Sequence, residues 1–109
     1  MHTAIDNGVN FIDTAQGYGN GKSEKIIAGI LKSRKEEITV ATKIPPVEGI
    51  WPPSPYCKIE ERYPEKYIRK NIEERLANLN TDCIDILQLH TWTRAWNSNP
   101  TALQILQDL

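Results

Sequence analysis

Asn10-Phe11-Ile12-Asp13-Thr14-Ala15-Gln16-Gly17-Tyr18-Gly19 begins as a short apolar run, closes on the carboxylate of Asp13, and passes into a glycine-bearing loop that carries a tyrosine. Two later segments are built alike. Ile38-Thr39-Val40-Ala41-Thr42-Lys43 closes on an amine, and Ile84-Asp85-Ile86-Leu87-Gln88-Leu89-His90 closes on an imidazole. Short runs rich in Val, Ile and Leu, bounded by polar or turn residues, read as strands, here over 9–13, 38–43 and 84–90. The segments between them have helical spacing. Ile26, Ile27, Ile30 and Leu31 form one apolar stripe in a helix that starts near Ser23. Ile68, Ile72, Leu76 and Leu79 form a second, opened by Pro64 and ended near Asn80. The order strand, helix, strand, helix, strand predicts an α/β fold of about three parallel strands with right-handed helical crossovers.

Parallel strands put their C-terminal ends at one edge of the sheet, where active sites of α/β folds sit. Asp13, Lys43 and His90 fall at three such ends, and the loop bearing Tyr18 can fold back over the same edge. Each has an ordinary structural role open to it: a turn carboxylate, a loop anchor, a solvated strand end, a satisfied histidine. Their coincidence at matching strand ends favours a site. The chemistry is coherent. Tyrosine, with a usual pKa of ~10, is a poor proton donor at neutral pH. A neighbouring ammonium favours its phenolate form, and a carboxylate keeps that ammonium charged and in place. A histidine can donate a hydrogen bond to a substrate oxygen. In this reading Tyr18 is a general acid within hydrogen-bond reach of Lys43, Asp13 is the partner of the lysine, and His90 clamps a carbonyl.

Composition narrows the partner. The chain has 109 residues, 39% hydrophobic and 25% charged, with a net charge of -1. That is an ordinary soluble composition, with no basic field for nucleic acid or an anionic membrane. A small molecule or a protein is the expected partner. No apolar run reaches the ~18 residues of a membrane span. The opening Met1-His2-Thr3-Ala4-Ile5-Asp6 lacks the basic and apolar regions of a signal peptide. Cys57 and Cys83 stand far apart, in no metal-binding spacing, so no metal is expected. A reduced, cytoplasmic protein follows as the expectation.

The glycine cluster Gly17-Tyr18-Gly19-Asn20-Gly21-Lys22-Ser23 is not a phosphate loop. A P-loop ending in Gly21-Lys22-Ser23 needs glycine at position 16, where Gln16 stands. The dinucleotide fingerprint that fits Gly17 and Gly19 would need its third glycine at Lys22. A flexible strand-to-helix loop is the better reading. Residues 45–64 break the alternation with Pro45, Pro46, Pro52, Pro53, Pro55 and Pro64, and with Trp51 and Tyr56 among them. Such a loop is either disordered or an ordered lid or pocket wall. Thr3 to Asn7, before Gly8, read as the last turn of a helix with a glycine cap. Ser98 or Asn99 can cap a helix opening at Pro100, with Leu103, Leu106 and Leu109 as its stripe. The expected domain, residues 1–109, is thus a single one cut at both ends.

Asn10-Phe11-Ile12-Asp13-Thr14-Ala15 with Tyr18-Gly19 and Ser23-Glu24 resembles the segment around the catalytic Asp and Tyr of the aldo-keto reductases. Ala41-Thr42-Lys43 is similar to the lysine strand of that family, and Ile84 to His90 to its histidine strand. The resemblance spans nearly the whole chain, in the family's order. It implies a partial (β/α)8 TIM barrel, of which this chain supplies the second, third and fourth strands. It also implies NADP(H) as cofactor and reversible reduction of aldehydes or ketones. Residue by residue, it makes Asp13, Tyr18, Lys43 and His90 the catalytic tetrad, with Asp13 and Tyr18 also touching the cofactor. Trp51 and Trp92 are candidates to line the substrate pocket, or equally to be interface aromatics. The family's late loops, which hold the adenosine phosphate, have no counterpart in these residues. The alternatives are a non-catalytic regulatory or binding subunit, as some relatives are for ion channels, and an inactive truncated product.

Overall fold

The structure, a computed structural model, describes residues 1–54, 56–98 and 101–109, and the side chains of all of these except 101–103. The element order is α1 (His2–Asp6), β1 (Phe11–Asp13), α2 (Lys22–Ser33), β2 (Thr39–Ile44), α3 (Ile59–Arg62), α4 (Glu65–Leu79) and β3 (Ile86–Leu89). A 3₁₀ turn at Arg94–Ser98 and α5 (Thr101–Gln107) follow. The strands pair in the order β1-β2-β3, all parallel. Phe11 lies beside Thr39, Asp13 beside Ala41, and Lys43 beside Gln88.

β1 and β3 are shorter than their apolar runs, whereas β2 keeps its six residues and is shifted by one, to end at Ile44 rather than Lys43. The Asp85 carboxylate accepts a hydrogen bond from the Val40 N–H at 2.9 Å. A side chain thus stands in for backbone pairing just before β3. At the far end, the His90 N–H donates to the Ile44 carbonyl at 2.9 Å, tying the residue after β3 to the last residue of β2. Helix ends follow local chemistry. Gly8, at φ +95°, turns the chain out of α1. Asn80, at φ 52°, ends α4, with its N–H on the Ala77 carbonyl at 3.1 Å. Pro64 stands at the N-cap of α4, where its missing N–H costs nothing.

Both crossover helices cover one face of the sheet. Ile27 of α2 and Leu79 of α4 meet Val40 of β2, with Ile12, Leu31 and Ile38 packed around them. Two crossovers of the same hand in this strand order give that result. A second cluster joins Ile44, Ile59, Tyr63, Ile68 and Trp96, with Leu87, Leu89 and Leu106 against it. Each fully buried isoleucine contributes about 1.5–3 kcal/mol. Alternation along the strands sends Phe11 and Asp13 to the opposite face, and there Phe11 is 49% exposed. Among the described residues, no helix covers that face.

The proline-rich stretch departs from an unbroken loop. Its last residues form α3, where the Lys58 N–H donates to the Glu61 carboxylate at 2.6 Å and Ile59 is buried. Of the expected caps of α5, Asn99 lies outside the described residues, as do Pro100 and the Leu103 side chain. Among the described residues, no helix is long and apolar enough to cross a membrane.

Candidate active site

Asp13 ends β1 and Lys43 sits one residue before the end of β2, in neighbouring parallel strands. Their register brings the side chains together. The Lys43 Nζ donates to Asp13 Oδ1 at 2.7 Å and to the Thr14 carbonyl at 2.9 Å. The lysine side chain is only 15% exposed, whereas that of Asp13 is 55% exposed. The ammonium is therefore largely shielded, while one side of its carboxylate partner stays accessible.

Tyr18 reaches this pair from the loop after β1. Thr14 and Ser23 close the base of that loop through a 2.8 Å hydroxyl–hydroxyl hydrogen bond, and the Ser23 N–H donates to the Tyr18 carbonyl at 3.2 Å. Gly21 makes the turn into α2 possible. Its φ is +86°, and a Cβ there would lie 2.8 Å from Asn78 Nδ2. The phenol ring then stands beside Lys43, whose Nζ is 5.5 Å from the ring centroid. This contact is over the ring rather than through the hydrogen bond to the hydroxyl that the sequence suggests. The ammonium instead directs its donors at Asp13 and Thr14.

His90 completes the edge. Its ring meets Tyr18 edge-on at 6.1 Å, and Gly17 passes close beneath it. Burial holds the imidazole below its ordinary range. Lys43 adds to that effect, and Asp13 opposes it. At neutral pH His90 is accordingly uncharged, with one ring N–H to donate. The next residue is anchored by Tyr63, whose hydroxyl accepts from the Thr91 N–H at 3.1 Å. Burial pushes that phenol up to about 12, so it stays protonated.

The two candidate pocket aromatics separate. Trp51 comes to the site and meets His90 edge-on at 6.1 Å, while remaining 61% exposed. Trp92 packs edge-on against Trp96 at 5.6 Å, and its Nε1 donates to Asn97 Oδ1 at 2.7 Å. Its ring and hydrogen-bond contacts thus belong to the 3₁₀ turn and not to the edge that holds Asp13, Tyr18, Lys43 and His90. Among the described residues, no group of three His, Cys, Asp or Glu side chains could hold a metal ion.

Sequence reading misses what lies behind the edge. The Glu24 carboxylate is fully buried and accepts from Arg75 at 2.8 and 2.9 Å, from Asn78 Nδ2 at 2.9 Å, and from Thr42 Oγ1 at 2.5 Å. Arg75 in turn donates to Asn71 at 2.8 Å. This network ties α2 and α4 to the strand residue next to Lys43. Its only sequence signal is a charged pair of opposite sign on two apolar helix faces.

The aldo/keto reductase family model matches residues 1–109. The chain belongs to the aldo/keto reductase family. The 6-dehydroglucose reductase of Novosphingobium aromaticivorans is 36% identical over 99 residues, covering 83% of this chain and 30% of that protein. The solved glycerol dehydrogenase AKR11B4 from Gluconobacter oxydans superposes with a TM-score of 0.76 at 32% identity, over 99% of this chain and 32% of that one. The holo form of aldo-keto reductase AKR11C1 from Bacillus halodurans gives a TM-score of 0.72 at 27% identity, over 99% and 35%. The chain therefore spans about a third of the length of these relatives. Its three parallel strands and their helices form part of an aldo/keto reductase (β/α)8 barrel.

Proposed function

We propose that these residues form the proton-transfer edge of an NADP(H)-dependent carbonyl reductase acting on aldehydes or ketones. The observation that supports it most is the meeting of Asp13, Lys43, Tyr18 and His90 at one edge of a parallel sheet. Tyr18 gives its proton to the carbonyl oxygen as that oxygen gains negative charge. The Lys43 ammonium, held by Asp13 and the Thr14 carbonyl, offsets the charge left on the phenol oxygen. Neutral His90 donates a hydrogen bond to the same carbonyl oxygen and orients it. Four such groups in one place favour an enzyme over a non-catalytic subunit.

The residues fit the reducing end of a nicotinamide cofactor. Asp13 and Tyr18 are half-exposed polar groups that offer an acceptor and a hydroxyl on the open side of the sheet. NADPH, when bound, supplies the hydride. Lys43 is committed to Asp13 and Thr14, so the anionic phosphates take other partners in a complete barrel. The open face, with Phe11 on it, also disposes the isolated chain to self-association. A chimera tests the reading. When these 109 residues replace the matching third of a solved reductase, NADPH-dependent reduction of a reactive aldehyde should persist and should depend on Tyr18. A folded chimera that binds NADPH yet reduces nothing would overturn it.

A further inference from the structure

Trp51 is 61% exposed, so burial of its own indole does not explain why it stands against His90. Its neighbours Glu48, Gly49, Ile50 and Pro52 are exposed too. A segment with so little buried surface moves unless something else holds it. Arg62, only 8% exposed, is in position to do so. Its Nη1 donates to the Ile50 carbonyl at 2.8 Å and its Nη2 to the Val47 carbonyl at 3.0 Å. The Val47 N–H donates back to the Arg62 carbonyl at 2.9 Å. Gly49 lies flat on the guanidinium, and a Cβ there would meet Cζ and Nη1 at 3.1 Å. The Nε is buried with no partner. A desolvated, unpaired donor is costly, so the fork's two carbonyl bonds must serve a purpose that a simpler apolar residue would not.

We propose that Arg62 is a positioning residue that clamps the 47–50 turn and thereby sets Trp51 against His90 as a wall of the site mouth. The value of that wall for substrate selection rests on the reductase reading, but the clamp itself does not. The test therefore needs no activity and uses the 109-residue chain. In isotope-labelled protein, NMR follows the Trp51–His90 ring cross-peaks and the titration midpoint of His90. The other groups facing His90, namely Tyr18, Lys43 and Asp13, stay unchanged in every variant.

In Arg62→Met and Arg62→Lys the cross-peaks should vanish and the midpoint should rise toward that of an ordinary histidine, because water replaces the indole. Trp51→Ala should raise it by the same amount. Adding Arg62→Met to Trp51→Ala should then raise it no further, the non-additivity expected when one residue acts through the other. A midpoint that stays put in folded Arg62→Met, or effects that simply add, would overturn the proposal. The indole resonance of buried Trp96 reports folding. Should the arginine variants not fold, Gly49→Ala decides, since its methyl presses on the guanidinium from an exposed position. It should weaken the cross-peaks and raise the midpoint by less, and an unmoved midpoint there sinks the idea.

Discussion

On the proposed reading, the chemistry at Tyr18 turns on one hydroxyl. Tyr18→Phe keeps the ring beside Lys43 and His90 but removes the proton. In the chimeric reductase, kcat/KM for aldehyde reduction should fall at least ~100-fold, the usual cost of losing a general acid. NADPH affinity, followed by fluorescence titration, should change little. At His90 the neighbouring charges pull in opposite directions, which gives two signed outcomes for the isolated chain. Lys43→Met should raise the NMR titration midpoint of His90, and Asp13→Asn should lower it. The depressed native pKa also has a stability consequence. Between the native value and the ordinary 6.5, the unfolded chain binds more protons than the folded one. The His90 contribution is therefore fully present above about 6.5 and is lost as pH falls through that value toward the native one. Urea midpoints across that window should drop on acidification, and His90→Gln should flatten the drop.

The elements that carry these residues are locked by the Glu24–Arg75 network. Both side chains are out of contact with water, at 0% and 2% exposure. Removing one partner strands the other, which costs about 3–5 kcal/mol, whereas replacing both with apolar residues is far milder. Denaturant unfolding should show Arg75→Met strongly destabilised. Glu24→Met with Arg75→Met should be closer to wild type than the sum of the two single changes. An additive double would show that the pair does not act as a unit. Because Thr42 donates to Glu24 and adjoins Lys43, the pair also explains how two helices on one face of the sheet govern the geometry at its edge.

For the whole molecule, the open sheet face decides behaviour. Phe11 and Ile86 are exposed on it, at 49% and 38%, and β1 and β3 each have one unpaired edge. Exposed edges and apolar faces promote association. Sedimentation should show concentration-dependent oligomers of the 109-residue chain, reduced by Phe11→Lys. The same chain should neither turn over a reactive aldehyde nor bind NADPH at micromolar concentration. On the proposed reading Asp13 and Tyr18 reach only the reducing end of a cofactor, too little to fix it above Tyr18, and positioning accounts for several kcal/mol of the barrier. Turnover by a monomeric chain would show that closure of the barrel is dispensable.

The sequence by itself determined the alternation of strands and helices, because β-branched runs and 3.6-residue stripes are local signals. It also determined the placement of Asp13, Lys43 and His90, because parallel strands share one C-terminal edge. Turn chemistry at Gly8, Pro64 and Asn80 was legible for the same local reason. Only the tertiary structure decided that Lys43 meets Tyr18 over its ring. Only it sent Trp51 to His90 and Trp92 to the core turn, since both are aromatics in irregular segments with no periodicity to orient them. Glu24 likewise meets Arg75 from 51 residues away, and Arg62 reaches back to the Val47 and Ile50 carbonyls. Contacts of that kind depend on how packed helices and loops bring distant side chains together, and no local pattern in the chain encodes them.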